Sequence, residues 1–147
     1  MNLTYERESW GRFLGRLAVV LTEELGLPLA SGGSTTFRKR ERRRGLESDE
    51  CFWIAHEASV RGKTRINLRI DPPPDLAIEI DISRSSLNRL GIYAVLGVPE
   101  IWRLNDQGIT FHVLGTEGLR QDRPEQRFSS GQFRGDCAFH GAPRTDG

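Results

Sequence analysis

The segment "DLAIEIDIS", residues 75–83, alternates aliphatic and acidic side chains in a pattern that could support metal-ion chemistry. Side chains of a β-strand point alternately to its two faces, so the isoleucines share one face while Asp75, Glu79 and Asp81 share the other. Hard divalent cations such as Mg²⁺ take oxygen ligands, usually one or two carboxylates with water completing the shell. The acidic face could therefore bind a metal ion, or it could be neutralised by neighbouring cations.

Spacing along this strand limits which acids can act together. With a rise of about 3.3 Å per residue, Glu79 and Asp81 lie roughly 7 Å apart, whereas Asp75 and Glu79 lie roughly 13 Å apart. To share one ion, Glu79 needs a second carboxylate from a neighbouring element. In the alternative interpretation, a helix covers this face and the acids pair with arginines such as Arg89 or Arg103, because carboxylates buried without a partner are costly.

The elements that must position these acids follow from hydrophobic periodicity. Apolar residues at helical spacing predict a first helix over 7–27 and a second helix over 83–98. Alternating β-branched residues make 76–82 the clearest strand. The stretches 100–106 and 109–115 predict a hairpin. The order of helix, strands, helix and two strands predicts an α/β protein whose mixed β-sheet is flanked by helices.

Composition limits the class of protein. The chain has 147 residues, a net charge of +1 and 28% charged residues, which is typical of one globular domain. No apolar run reaches the roughly 18 residues of a membrane span, and the charged N-terminus lacks an apolar signal core, so we expect a cytoplasmic protein. The domain is expected to cover residues 1–115. The polar, glycine-rich stretch 116–147 predicts a tail of loop or partial disorder.

A dense basic run, "FRKRERRR" at 37–44, is a second functional candidate. Its six basic residues in eight could follow a phosphate backbone and give salt-sensitive, sequence-independent affinity for DNA. The alternative is a solvated connection between two strands, since most charge runs are simply exposed. The candidate nucleic-acid-binding residues are Arg38, Lys39, Arg40, Arg42, Arg43 and Arg44.

Four motifs follow one another along the chain: "GSTTF", "GLESDEC", "PPPDLAIEID" and "IYAVLGVPEIWR". In combination they resemble the Uma-two family, within the PD-(D/E)XK nuclease superfamily, over about residues 8–114. The resemblance implies a restriction-endonuclease-like core. It also implies an endonuclease that hydrolyses phosphodiester bonds of DNA with Mg²⁺ or Mn²⁺ as its cofactor.

The same resemblance implies roles for individual residues. The acid of the "PD" element matches Asp49 and that of the (D/E)XK element matches Glu79, which would hold the metal ion from adjacent strands. The basic residue matches Arg89, which would neutralise charge on the scissile phosphate. Glu8 matches the acid of an "HE" element in the first helix, and it could bind the ion or orient the attacking water.

Two further acids and three departures from the family pattern leave alternatives open. Asp75 is expected to support the metal ligands, while Asp81 is either an additional ligand or the ion-pair partner of Arg89. Family members usually have Lys at the position of Arg89, His at that of Arg7 and Pro at that of Ser48. Arg keeps the positive charge but cannot exchange a proton near neutral pH.

Three functions are therefore compared. The first is a metal-dependent endonuclease, and the second is a catalytically silent nucleic-acid-binding or regulatory copy of the same fold. The third is a structural domain whose acids are ion-paired. Carboxylates of Asp49 and Glu79 that converge and open to solvent favour the first, whereas a Glu79 buried under the helix and paired with Arg89 favours the third. Many nucleases dimerise to cut both strands, so a homodimer is compatible with these functions.

Overall fold

The computed structural model describes residues 3–34, 36–37, 46–82 and 89–122. The helices are α1 (Leu3–Glu24), α2 (Glu57–Val60) and α3 (Arg89–Leu96), and the strands are β1 (Ala30–Ser31), β2 (Thr36–Phe37), β3 (Leu46–Glu47), β4 (Glu50–Trp53), β5 (Leu76–Asp81), β6 (Glu100–Asn105), β7 (Gly108–Gly115) and β8 (Gly118–Asp122). Six strands form one sheet in the order β1-β4-β5-β6-β7-β8, and β2 pairs with β3 separately.

The sheet is mixed because one pair of neighbours is parallel. β5 pairs antiparallel with β4 and parallel with β6, while the remaining neighbours are antiparallel. Parallel neighbours require a crossover connection, and α3 lies within the one between β5 and β6. The predicted α/β architecture, a mixed sheet flanked by helices, is confirmed.

β5 is covered on both faces. Ile78 belongs to one apolar cluster with Leu14 and Ala18 of α1. Ala77, its neighbour on β5, belongs to a second cluster with Tyr93 of α3. The alternation predicted for this strand is therefore confirmed, and its acidic face is the one that α3 covers.

The first helix begins earlier than its periodicity predicts, and not all of its large apolar residues face the sheet. α1 begins at Leu3, and its buried side includes Leu14 and Ala18, whereas Trp10 and Phe13 remain largely exposed. The two aromatic rings contact each other edge to face, with 5.8 Å between their centroids. Trp10 and Phe13 therefore lie outside the buried face of α1, where small residues such as Gly11 and Ala18 approach the sheet.

Residues 118–122 form a strand, and the prediction of loop from Thr116 onward is wrong for them. β8 pairs with β7 from Gly115 opposite Gly118 to Phe111 opposite Asp122. Gly118 has φ of 107°, a conformation that favours glycine and closes this tight hairpin. Backbone pairing, which side-chain periodicity does not report, therefore extends the sheet by one strand. Residues 123–147 lie outside the described part, so the tail there stays a prediction.

Replacing Ile78 by Ala should lower the free energy of unfolding by about 3 kcal/mol, because it removes buried methyl groups from the centre of the sheet. Ile78 is fully buried whereas Ile70 is 79% exposed, so Ile70→Ala is a matched control. The control should change the free energy of unfolding by less than about 0.5 kcal/mol. Urea unfolding measures both values, and equal effects would contradict the central position of β5.

Candidate functional site

Three acids and three arginines meet around the C-terminal end of β5. The ion pairs are Asp49 with Arg7, Glu79 with Arg89, and Asp81 with Arg103. The arginines come from three different elements, α1, α3 and β6, which the fold brings to one end of the sheet. Each of these three carboxylates is therefore paired with an arginine of the protein itself.

Glu79 is the most deeply buried of these acids, with a side chain that is 3% exposed. Its Oε2 accepts a hydrogen bond from Nη1 of Arg89 at 3.0 Å, and its Oε1 accepts one from the hydroxyl of Tyr93. Arg89 and Tyr93 are four residues apart on α3, so they lie on the same side of the helix. A single turn of α3 therefore fixes both carboxylate oxygens of Glu79.

The environment of Glu79 favours its neutral form more than water does. Burial raises the pKa of this carboxyl, the hydrogen bond from Tyr93 and the charge of Arg89 lower it, and the charge of Asp49 raises it further. The net result is a raised pKa. Burial and the neighbouring Glu79 also raise the pKa of Tyr93, so its hydroxyl keeps its proton and acts as the donor.

Asp49 lies at the bend that leads into β4 and binds two different groups. Its Oδ1 accepts a hydrogen bond from Nε of Arg7 at 2.7 Å, and its Oδ2 accepts one from the backbone N–H of Ile80 at 2.8 Å. The last residue pair between β4 and β5 is Glu50 with Ile78, so this N–H lies just beyond the ladder. The Asp49 carboxylate therefore replaces a missing strand partner and has a structural role of its own.

Arg7 reaches Asp49 because α1 lies close to the sheet at Gly11. A Cβ atom added to Gly11 would lie 3.9 Å from Cβ of Asp49 and 3.9 Å from Cγ1 of Ile80, which is van der Waals contact. Arg7 is one helical turn before Gly11 and therefore lies on the same side of α1. The small residue at position 11 thus sets the distance at which the guanidinium meets the carboxylate.

The charge of Arg7 is stabilised by the whole acidic cluster. Its hydrogen bond to Asp49 raises the pKa of the Arg7 guanidinium, and the negative charges of Asp49, Glu79 and Asp81 raise it further, against a smaller opposing effect of burial. In the sequence, Arg7 stands out only as a departure from the family pattern, and no role in the site was predicted for it. Its position on the buried side of α1, four residues before Gly11, is the signal that could have identified it.

Glu8 is not brought into this cluster, although the resemblance assigned it a catalytic role. Its side chain is exposed and lies 3.8 Å from Nη2 of Arg12 on the surface of α1. Successive residues of an α-helix are rotated by about 100°. Because Arg7 faces the carboxylates, the adjacent Glu8 points away from them, and Arg7 is the residue that α1 contributes.

Asp81 is held by Arg103 and not by Arg89, which corrects one of the two expectations for it. Arg103 stands opposite Glu79 in the register of β5 and β6, so its side chain can reach diagonally to Asp81. Among the described residues, no three His, Cys, Asp or Glu side chains are grouped so that they could hold a metal ion. The acids Asp49, Glu79 and Asp81 therefore do not converge as three ligands.

Asp75 lies at the opposite end of β5 and has a local structural role. Its Oδ2 accepts hydrogen bonds from the backbone N–H groups of Ile54 at 2.7 Å and His56 at 3.0 Å. Its Oδ1 is 2.7 Å from Nδ1 of His56. These contacts hold the turn between β4 and α2, so Asp75 does not support the ligands expected near Glu79.

The basic run at residues 38–44 lies outside the described residues, and its contact with DNA stays a prediction. Residues 36–37 before it and 46–47 after it are described, and they form the antiparallel pair of β2 and β3. Phe37 stands opposite Leu46 in this pair.

The residue types at the site fit a hard divalent cation with two protein ligands. Asp49 and Glu79 supply carboxylate oxygens from neighbouring segments, and Mg²⁺ commonly takes one or two carboxylates with water in its remaining positions. Every one of their oxygens already accepts a hydrogen bond, yet a carboxylate oxygen has two lone pairs. Asp49 is the more accessible of the two carboxylates, with a side chain that is 16% exposed.

The fold, a mixed sheet flanked by helices, is consistent with that of a restriction-endonuclease-like protein. The model of the Uma2 family, described as "putative restriction endonuclease", matches residues 6–134. The chain therefore belongs to the Uma2 family, and the resemblance found in its motifs is confirmed. No curated protein matches the chain. Within the described residues, no helix combines the length and the apolar character needed to cross a membrane.

Replacing Glu79 by Gln should change how stability depends on pH. Because the folded protein raises the pKa of Glu79 above its ordinary value of 4.5, folding favours the protonated carboxyl. The resulting stabilisation is complete below the unfolded-state pKa and is lost as pH rises through the folded-state pKa. Wild type should therefore lose stability relative to Glu79→Gln over the pH range that lies above the ordinary pKa of 4.5. Urea unfolding across this range measures the difference, and a difference that does not vary with pH would contradict the assignment.

Proposed function

We propose that the protein hydrolyses phosphodiester bonds of DNA with a divalent cation, Mg²⁺ or Mn²⁺, held by Asp49 and Glu79. The observation that supports this proposal most directly is a cluster at the end of β5, formed by Asp49, Glu79 and Arg89 from three different parts of the sequence. Membership of a family described as "putative restriction endonuclease" supports the same reaction. The proposal keeps three of the four residues to which the resemblance assigned catalytic roles.

The chain's own residues would divide the work as follows. Asp49 and Glu79 would hold the cation, which would supply a Lewis acid for the phosphate and for the attacking water. Tyr93 keeps the Glu79 side chain in one orientation through its hydrogen bond. Nη1 of Arg89 donates a hydrogen bond to Glu79. The other N–H groups of this planar guanidinium can donate to a phosphate oxygen as negative charge develops there.

A second function is favoured by the ion pairs themselves. Glu79 is buried and paired with Arg89, so the site is electrically balanced without any bound cation. Arg89 also keeps its proton at neutral pH, so it cannot replace a lysine that must exchange one. The burial and pairing of Glu79 favour the structural domain with ion-paired acids, the third function expected from the sequence. The proton-retaining Arg89 favours a catalytically silent, nucleic-acid-binding or regulatory protein with the same fold.

Supercoiled plasmid incubated with Mg²⁺ or Mn²⁺ distinguishes these functions. Wild type should nick the plasmid, and Glu79→Gln should reduce the rate by more than about 100-fold, because it removes the charge of a metal ligand. Glu23→Gln, at an exposed position near the end of α1, is the matched control and should cleave like wild type.

Three outcomes of this assay decide between the functions. Equal cleavage by wild type and Glu79→Gln contradicts the catalytic assignment. DNA binding without cleavage by any of the proteins identifies the silent copy. Loss of cleavage in the Glu23→Gln control shows that the assay does not report on the site.

The salt dependence of DNA binding should report how many phosphates the basic run contacts. Replacing Arg42, Arg43 and Arg44 by Gln should reduce the slope of log affinity against log salt by up to about 2.7, or about 0.9 for each lost phosphate contact. Replacing the exposed Arg65 and Arg69, on the loop between α2 and β5, is the control and should leave the slope unchanged. Fluorescence anisotropy with labelled duplex measures the slopes, and equal slopes in all three proteins exclude the run from DNA binding.

A further inference from the structure

Arg7 and Arg103 have no part in the proposed reaction, and of these two Arg7 is the one that pairs with a proposed metal ligand, Asp49. Nε of Arg7 donates to Oδ1 of Asp49 at 2.7 Å, so the contact is a direct, hydrogen-bonded ion pair. Glu79 is nearly sealed from solvent, whereas Asp49 is partly exposed. A hydrated cation arriving from solvent therefore meets Asp49 first, and the guanidinium of Arg7 already stands on that carboxylate.

We propose that Arg7 competes with the divalent cation for Asp49 and must leave this carboxylate before the cation binds. The inference rests on the proposed function, because it concerns the same ligand. Two positive charges within a few ångströms repel strongly in a partly buried site, where water screens them poorly. Arg7 also faces the charges of Glu79 and Asp81, so a cation bound among these acids takes over the attractions that hold the guanidinium.

Arg7 can leave without disturbing the fold. Its side chain is 40% exposed and stands in the second turn of α1, so rotation of its long stem can move the guanidinium into solvent. Asp49 then keeps its hydrogen bond from the backbone N–H of Ile80, which holds the carboxylate in place. The arrangement therefore separates the structural contact of Asp49, through Oδ2, from the exchangeable contact, through Oδ1.

Mn²⁺ binding to the full chain without nucleic acid tests the competition, measured by isothermal titration calorimetry. Arg7→Gln should bind Mn²⁺ about threefold to tenfold more tightly than wild type, because the competing charge is gone. Arg12→Gln removes the same charge from an exposed position nearby on α1, and it reports any general effect of net charge. Its affinity for Mn²⁺ should match that of wild type.

The Asp49→Asn background shows whether Arg7 acts through Asp49. Asn keeps an oxygen that can accept the Ile80 N–H, so the bend before β4 is retained. The difference between Arg7 and Arg7→Gln should disappear in this background. A difference in Mn²⁺ affinity that persists in the Asp49→Asn background overturns the competition. The competition is also overturned if Arg7→Gln binds Mn²⁺ no more tightly than Arg12→Gln, or if neither variant binds Mn²⁺.

Plasmid cleavage by the same proteins separates this inference from the proposed function. Tighter Mn²⁺ binding by Arg7→Gln without cleavage by any protein supports the competition and contradicts the nuclease. Metal-dependent cleavage by wild type, with equal Mn²⁺ affinity in Arg7→Gln and Arg12→Gln, supports the nuclease and overturns the competition.

Discussion

The burial of one carboxylate, that of Glu79, sets the arrangement of this end of the molecule. A buried carboxylate is costly unless hydrogen bonds and opposite charge replace the water it loses. Tyr93 and Arg89 supply both from one turn of α3, which is the helix between the parallel strands β5 and β6. The packing of α3 on the sheet and the position of the acid therefore depend on each other.

The same physical demand explains why the site is balanced without a metal ion. Asp49 and Asp81 lie at the same end of the sheet as Glu79, and each has its own arginine. Such pairing stabilises the folded chain, but it also occupies the oxygens that a cation would use. In a nuclease of this kind, the ion pairs would stabilise the metal-free site and lower its affinity for the cation. In a catalytically silent protein of the same fold, the ion pairs would be permanent. The accessible pair, between Asp49 and Arg7, is where these two cases differ.

The sequence predicted the central features of the fold and the site because they are encoded locally. Alternation identified β5 and its acidic face, and the family motifs singled out Asp49, Glu79 and Arg89. Arg7 was not assigned a role because the phase of α1 depends on small residues that approach the sheet, which the large apolar residues obscured. The pairing of Asp81 follows from the register between β5 and β6, and β8 follows from backbone pairing. Neither the register between β5 and β6 nor the backbone pairing of β8 produces a pattern in the local sequence.

A crystal structure with bound Mn²⁺ tests the central claim most directly, because the anomalous signal of manganese locates the ion independently of the side chains. The account predicts an anomalous peak between the carboxylates of Asp49 and Glu79, with the guanidinium of Arg7 moved away from Oδ1 of Asp49. An ion bound elsewhere, or a peak at this position with the contact between Arg7 and Asp49 unchanged, would contradict it.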